Sequence, residues 1–480
     1  MRTTPLRSWL CLCAALAGMV ASAAESGRVT FDSSDQALTD GFAWAKKQAL
    51  SYVHRGDAVG DWYDASLPNR YAFCMRDVSH QALGAQILGL APVTRNLLEK
   101  FARNVAPSRQ WCSFWEITKD NLPAPVDYKN DKDFWYNLPA NFDVLHACYR
   151  QYLWTGDQTY LNDDTFQNFY RRTTHDYVEA WDVDGDGIPD GLPSYGRRGI
   201  PSYNEQLGGH PRQASDLLAT EYSAFVAAAR MEKLLHHDAD AERLLEAGRR
   251  VRAIYNREWW NASQKQFYAV RFQDGTFYDG RITEPDFFPV YLEQLPEDGE
   301  RLQGQLRVVS EDSVNPKLNV EALSYFPEIL YRWGLNEPAY RSLIRLVSPA
   351  LPRREYPEVS FAAIGAFAAG VMGIEPDASS YIVATQSHLT TATAWATLSH
   401  VPIFDGEISV RHSGLTETRL TNEGSQVIHW EARFTGKAAR LSINGKQSRV
   451  RTKPGISYTL VDVRPGQTVM VSRIGAPGPR

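Results

Sequence analysis

From about residue 35 to about residue 380, apolar residues recur every three or four positions, the period of a helix with one buried face. The spacing predicts helices over 37–52, 80–88, 93–105, 141–154, 163–181, 216–236, 239–255, 319–333, 337–346 and 361–372. In the third of these the stripe is Leu97, Leu98, Phe101 and Val105, and the fourth stops at Thr155, Gly156 and Asp157, where a glycine can end a helix. Before residue 380 alternation is confined to 266–272 and 276–278, a predicted hairpin around Asp274 and Gly275. After Ile382 the period falls to two. Strands are predicted over 408–411, 416–420, 426–434, 439–443, 448–452, 457–463 and 468–474, with Asn444 and Gly445 as a hairpin turn. Consecutive antiparallel helices imply a mainly α array, stacked or circular, and the alternating tail implies a β-sandwich of about a hundred residues.

The first 23 residues do not belong to that pattern. Arg2 and Arg7 lead an apolar run from Trp9 to Val20, closed by the small residues Ala21, Ser22 and Ala23, which reads as an export signal. The run is too short to cross a bilayer, and no later stretch approaches ~20 apolar residues, so a periplasmic or extracellular chain without a membrane span is expected. The remainder divides into a helical domain over 24–381 and a β-sandwich domain over 382–480. A net charge of -5 supplies no overall basic footprint for nucleic acid or anionic lipid. Cys11 and Cys13 leave with the signal; Cys74, Cys112 and Cys148 allow at most one disulfide and match no zinc spacing. A monomer is expected. The 13 Trp, 23 Tyr and 20 Phe exceed what a core of this size needs, and sugar rings stack on such side chains.

One stretch carries concentrated chemistry. In WDVDGDGIPD, 181–190, the carboxylates Asp182, Asp184, Asp186 and Asp190 alternate with other residues, while Gly185 and Gly187 let the backbone curl so that hard oxygens converge, as Ca²⁺ requires. Pro193 stands where an EF-hand would place its bidentate Glu, which excludes that motif; a turn held by Asx hydrogen bonds without metal is the alternative. A structural calcium is the only cofactor the sequence suggests.

Several separated stretches resemble the six-hairpin glycosidase superfamily. YVEAWDVDGDGIPD at 177–190 is similar to a loop of bacterial β-glucosidases related to non-lysosomal glucosylceramidase, as are 225–235, YNREWW at 255–260 and QFY at 266–268. YAFCMRD at 71–77 resembles the aromatic-x-x-Arg-Asp motif of glucoamylase-like enzymes, and SFAAIGA at 360–366 with GIEPD at 373–377 resembles the end of the helical domain in α-L-rhamnosidases. The matches occur in the right order across most of residues 70–410. The resemblance implies an (α/α)6 toroid with its active site at the end where the long loops gather, and it implies that Arg76 and Asp77 hold sugar hydroxyls. The catalytic Tyr-Asp-x-Trp of the β-glucosidases and the acidic cluster of the rhamnosidases are missing.

Glycoside hydrolysis needs one protonated and one ionised carboxyl group. Glu205, in PSYNEQ at 201–206, sits among hydrogen-bonding and ring-stacking residues and is the preferred general acid, with Asp216 and Asp190 as rivals. Glu358, in REYPEVS at 354–360, is the preferred partner, with Glu116 and Asp312 as alternatives. Arg76 and Asp77 could be a mere ion pair at a helix start, but a planar fork beside a carboxylate suits two vicinal hydroxyls. Trp111, Trp115, Trp135, Tyr136 and Tyr203 are candidate sugar platforms, with core packing as their alternative role. The expected activity is exo-acting, inverting hydrolysis of an oligo- or polysaccharide. Two other readings stay open: a lyase on a uronate-containing glycan using Tyr195, Tyr203, His210 and Arg212, and a toroid that binds carbohydrate without turnover.

Overall fold

The computed structural model describes residues 27–205 and 207–474, so the expected export signal lies outside the described residues. Twelve helical segments form six pairs. In chain order they are α1 (Gln36–Ser51), α2 (Met75–Ile87), α3 (Ala91–Arg103), α4 (Ala140–Thr155) and α5, which starts as Asp164–Arg171 and continues through a π-type turn at Arg172–Tyr177 into Val178–Trp181. Then come α6 (Ser215–Leu234), α7 (Asp238–Glu258), α8 (Thr283–Phe287, extended by Phe288–Val290), α9 (Glu300–Ser313), α10 (Val320–Arg332), α11 (Asn336–Val347) and α12 (Pro357–Gly365, extended by Ala366–Val371).

Even-numbered helices make the inner ring and odd-numbered ones the outer ring. Neighbours pack in the order α2, α4, α6, α8, α10, α12 and back to α2. Burial explains the division. The outer helix α3 buries one stripe, Val93, Thr94, Leu97, Leu98, Phe101 and Ala102, whereas α2 is buried at nearly every position. A helix enclosed all round needs small residues where neighbours cross. A Cβ on Gly84 of α2 would overlap the carbonyl of Phe361 in α12, and that contact closes the ring. The mainly α toroid expected from sequence is therefore present. Two helices escaped the pattern: α8 is little more than a turn, and α9 mixes Gly304, Gln303 and Gln305 into its stripe.

The tail folds into two sheets whose strands alternate buried and exposed positions around Leu398, Val410, Leu420, Trp430, Phe434, Val463 and Val471. One sheet has seven strands in the order Thr30–Ser33, Trp395–Ile403, Gly406–Ser413, Glu417–Asn422, Thr468–Ile474, Arg440–Ile443, Lys446–Ser448. The other has five, Glu375–Asp377, Ile382–Gln386, Ile428–Thr435, Ile456–Val463 and Arg451–Lys453. The first strand comes from the start of the chain, Thr30 lying opposite Ser399, so the β region draws on both ends of the sequence. His412 and His388 hydrogen-bond the carbonyls of Met372 and Gly370, which ties the sheets to the end of α12.

Short hairpins between helices matter more than their size suggests. Ala72–Cys74 pairs with Glu116–Thr118 and sets Glu116 opposite Cys74, beside the start of α2. The predicted hairpin around Asp274 and Gly275 is present, Arg271 lying opposite Phe277, and its first arm is shared: Val270–Phe272 also pairs with Pro211–Ala214, while Gln266–Phe267 pairs with Trp260–Asn261.

Candidate active site

All six inner helices begin at the same end of the ring, and a cavity of about 690 Å³ opens there. Arg76 and Asp77 lie in the first turn of α2, Trp135 precedes α4, and Tyr203, Asn204 and Glu205 precede α6. Thr283 and Glu284 open α8, Glu321 and Tyr325 lie on α10, and Tyr356 immediately precedes α12. Unpaired backbone N–H groups at helix starts carry partial positive charge, which favours carboxylates at this rim. The capping of α10 shows the local cause: the Asn319 side chain accepts from Ala322 N at 2.7 Å and fixes where Glu321 emerges.

The charges are arranged in pairs. Asp77, 1% exposed, accepts from Tyr356 OH at 2.9 Å and from Arg76 Nε at 3.2 Å. The other end of the Arg76 guanidinium is 3.9 Å from Glu205 Oε1, and it lies 5.9 Å from the centre of the Tyr203 ring. Glu205 keeps 42% of its side chain exposed, and the surrounding walls push its carboxyl above the ordinary range against the pull of Arg76. Arg70 Nη1 is 2.6 Å from Glu116 Oε2 and 3.5 Å from Asp127 Oδ2; burial raises the Glu116 carboxyl, reinforced by its hydrogen bond with Asp127. Across the cavity Arg353 Nη2 donates to Glu321 Oε1 at 2.6 Å, while Asn204 Nδ2 donates to Glu284 Oε2 at 2.8 Å.

Several residues singled out by sequence serve this surface from behind. Asp216 is fully buried and accepts from Ser202 Oγ at 2.9 Å and Tyr203 N at 2.6 Å, so it holds the loop that presents Glu205. Tyr203 OH donates to Asp143 Oδ2 at 3.0 Å, and burial pushes both Asp143 and Asp216 up to about 7. Glu358 is fully buried beneath Arg76 and Asp77, 4.0 Å from His80 Nε2, with its carboxyl pushed up by burial. His80 stacks on Tyr325 at 3.5 Å and hydrogen-bonds Tyr291 and Ser324, a buried structural histidine. Trp115 and Trp135 reach the cavity; Tyr136 is wholly enclosed, its hydroxyl donating to Asn141 Oδ1. Asp312 pairs with Arg281 away from the cavity lining. Cys74, Cys112 and Cys148 are buried and free.

The Asp-rich loop lies apart from the cavity lining. Asp182 accepts from Gly185 N and Gly187 N at 2.8 and 2.9 Å; Asp190 accepts from Val183 N at 3.0 Å and from Arg212 Nε at 2.7 Å. Arg212 also reaches Asp184 at 2.5 Å. Ligand atoms of Asp182, Asp184 and Asp190 lie within 4.8 Å of one another. Negative charge still exceeds positive: Asp186 is pushed up to about 6 by burial and its acidic neighbours, and the buried Glu221 beneath is raised with neither oxygen hydrogen-bonded. Of the four residues considered for a lyase, only Tyr203 lines the cavity; Arg212 belongs to this loop, Tyr195 packs on Trp181, and His210 is exposed.

Comparison with family models and with curated protein sequences gives no match. Solved structures do match. An α-L-rhamnosidase from Dictyoglumus thermophilum superposes with a TM-score of 0.63 at 14% identity, over 94% of this chain and 50% of that one. The GH78 family rhamnosidase of Bacillus sp. GL1 gives 0.58 at 12%, over 82% and 40%. A putative kojibiose phosphorylase from the human microbiome gives 0.58 at 9%, over 90% and 67%. The likeness is one of fold, a helical toroid followed by β-sheets. The chain spans half or less of the length of the two rhamnosidases.

Within the six-hairpin frame, the residues that sequence reasoning missed share one position. Glu284 and Glu321 are carboxylates in the first turn of an inner helix, and Tyr356 immediately precedes another. The signal was a capped helix start followed by an acid, Asn319 then Glu321, readable only once inner helices are told from outer ones. Arg70, Asp127 and Arg353 come from loops with no local pattern at all.

Proposed function

We propose that this chain is an exported glycoside hydrolase that removes a terminal sugar from an oligo- or polysaccharide with inversion. The single observation that carries the reading is one cavity ringed by inner-helix starts in which carboxyl groups are held in different states. Glu205 combines a raised carboxyl with access to the cavity, which suits a general acid that protonates the leaving oxygen. Glu321 lines the cavity and is ion-paired to Arg353, which suits a base accepting a proton from water. The two come from positions separated by α8 in the ring, and carboxyls on different walls leave room for a water between them, the arrangement of inverting enzymes. Arg76 and Asp77 orient hydroxyls, and Trp115 and Trp135 supply ring faces. Calcium is proposed for the Asp-rich loop, held by Asp182, Asp184 and Asp190, supported by the uncancelled charge there; its contribution would be to stiffen the loop that leads into 201–205.

A panel of oligosaccharides and aryl glycosides tests the reading, with the anomer of the first-formed product followed by proton NMR. Glu205→Gln and Glu321→Gln should each lower kcat by about 10³-fold or more with Tm unchanged. Near-native turnover in Glu205→Gln removes it from the acid role, an ultraviolet-absorbing product identifies a lyase, and sugar binding without turnover identifies a binding toroid.

A further inference from the structure

The β region carries a charge pattern unlike the rest of the surface. Between Glu431 and Asp462 the chain contains no carboxylate but seven cations; Arg433 is partly buried and paired with Glu375 and Glu431, and the other six, Lys437, Arg440, Lys446, Arg449, Arg451 and Lys453, are all exposed. Lys446–Ser448 is the edge strand of the seven-stranded sheet and Arg451–Lys453 the edge strand of the five-stranded sheet. Arg449 joins them, so the two edges form one continuous fringe. Lys437 belongs to the same end of the molecule, because Gly436 N donates to Gly455 O and Ala438 N to Ser457 Oγ beside the turn that follows Lys453. Of these six only Lys453 meets a carboxylate among the described residues, Glu431 at 2.9 Å; the other five have none within ion-pair distance.

Charged edges protect sheets from pairing with other chains, and one or two lysines suffice for that. Elsewhere many exposed arginines are matched: Arg249 meets Glu242 and Glu246, Arg243 meets Asp240, and Arg103 meets Glu99. Five unmatched cations on one fringe repel one another, an arrangement that costs stability unless an external anion relieves it.

We infer that this fringe binds an anionic polysaccharide and holds the toroid near glycan. Positive charge spread over two extended edges fits a linear polymer with an acid group on successive residues. The large apolar side chains that would insert into a bilayer, and exposed aromatic faces that would stack bases, are missing from 437–453. The choice of a glycan among polyanions rests on the glycosidase reading of the cavity, but binding is measured without turnover.

The test is calorimetry of the full chain with polygalacturonate, with dextran as neutral control and phosphatidylserine-containing vesicles as a competing surface. Binding should weaken at least about tenfold as salt rises from low to physiological strength, because exposed charges are screened. The triple substitution Lys446→Ser, Arg449→Ser, Arg451→Ser should weaken it by about tenfold or more, with Tm and cavity chemistry unchanged. Equal affinity for dextran, tighter binding to the vesicles, or full affinity in the triple variant overturns the inference. Loss of turnover in Glu205→Gln with polymer binding retained separates this site from the cavity.

Discussion

Two acidic regions of this molecule use the same side chain for opposite ends. In the loop over 182–190 the carboxylates turn inward: Asp182 takes the N–H groups of its own glycines, and Asp190, with no exposure, takes Val183 N and both arms of Arg212. At the toroid mouth Glu205, Glu284 and Glu321 face an open cavity and each is held by one neighbour, Arg76, Asn204 or Arg353. A carboxylate whose lone pairs are filled by the backbone stabilises a loop. One with an oxygen left over is available to a ligand. The acidic motif that dominates the sequence is thus the structural region, and the scattered acids are the candidate chemical ones.

Arginine removal should break this symmetry most strongly. Arg212→Ala leaves a buried Asp190 without its counter-charge, and loss of one partner from a buried pair typically costs about 3 kcal/mol or more. Arg353→Ala removes an arginine that is 55% exposed, so stability should fall by less than ~1 kcal/mol while turnover falls through Glu321. Denaturant melts of both variants measure the difference. Comparable losses of stability would mean that the mouth is as structural as the loop.

The next effect is on pH dependence. Asp143 and Asp216, which hold Tyr203 from behind, titrate at about 7 in the folded protein and near ~3.9 when unfolded. The folded state therefore keeps protons that the unfolded state has released. The contribution of these two groups to stability should be greatest below about pH 4, decline as pH rises toward 7, and level off above it. Asp143→Asn retains an acceptor for Tyr203 OH and should remove part of that decline, on the order of 2 kcal/mol by pH 7. An unchanged slope of Tm against pH in Asp143→Asn would show that Asp143 stays ionised.

The contrast also explains what could be read from the sequence. Outer helices announce themselves through one apolar stripe, as in α3 and α7, and most inner helices through length and small residues, as in α6. The short α8 obeys tertiary packing and not period, so it escaped, whereas the helix over 163–181 was legible although its middle turn widens to a π-type turn. The strand Thr30–Ser33 is only four residues long, and its partner lies more than 360 residues away. Glu205 and the Arg76–Asp77 pair were legible because aromatic and polar neighbours cluster around them locally. Glu321 and Arg353 were not, because an ion pair between a helix start and a loop more than thirty residues away leaves no trace in either stretch.

The smallest effect concerns calcium. Arg212 already supplies one positive charge to the loop, so a bound cation would offset only the remainder of the charge there; Asp186 and Glu221 are raised first by burial and then by their acidic neighbours. Chelation should lower Tm by a few degrees, consistent with roughly 1–2 kcal/mol from a site occupied well above its Kd. The shift should grow in Arg212→Ala, where the cation must neutralise Asp184 and Asp190 alone, and shrink in Asp182→Asn, which keeps one of the two backbone hydrogen bonds and loses a charged ligand. Turnover with saturating substrate should hardly change in either case, because none of these carboxylates lines the cavity. If chelation leaves Tm unmoved in the wild type and in Arg212→Ala alike, the loop is a turn stabilised by its own N–H groups and arginine.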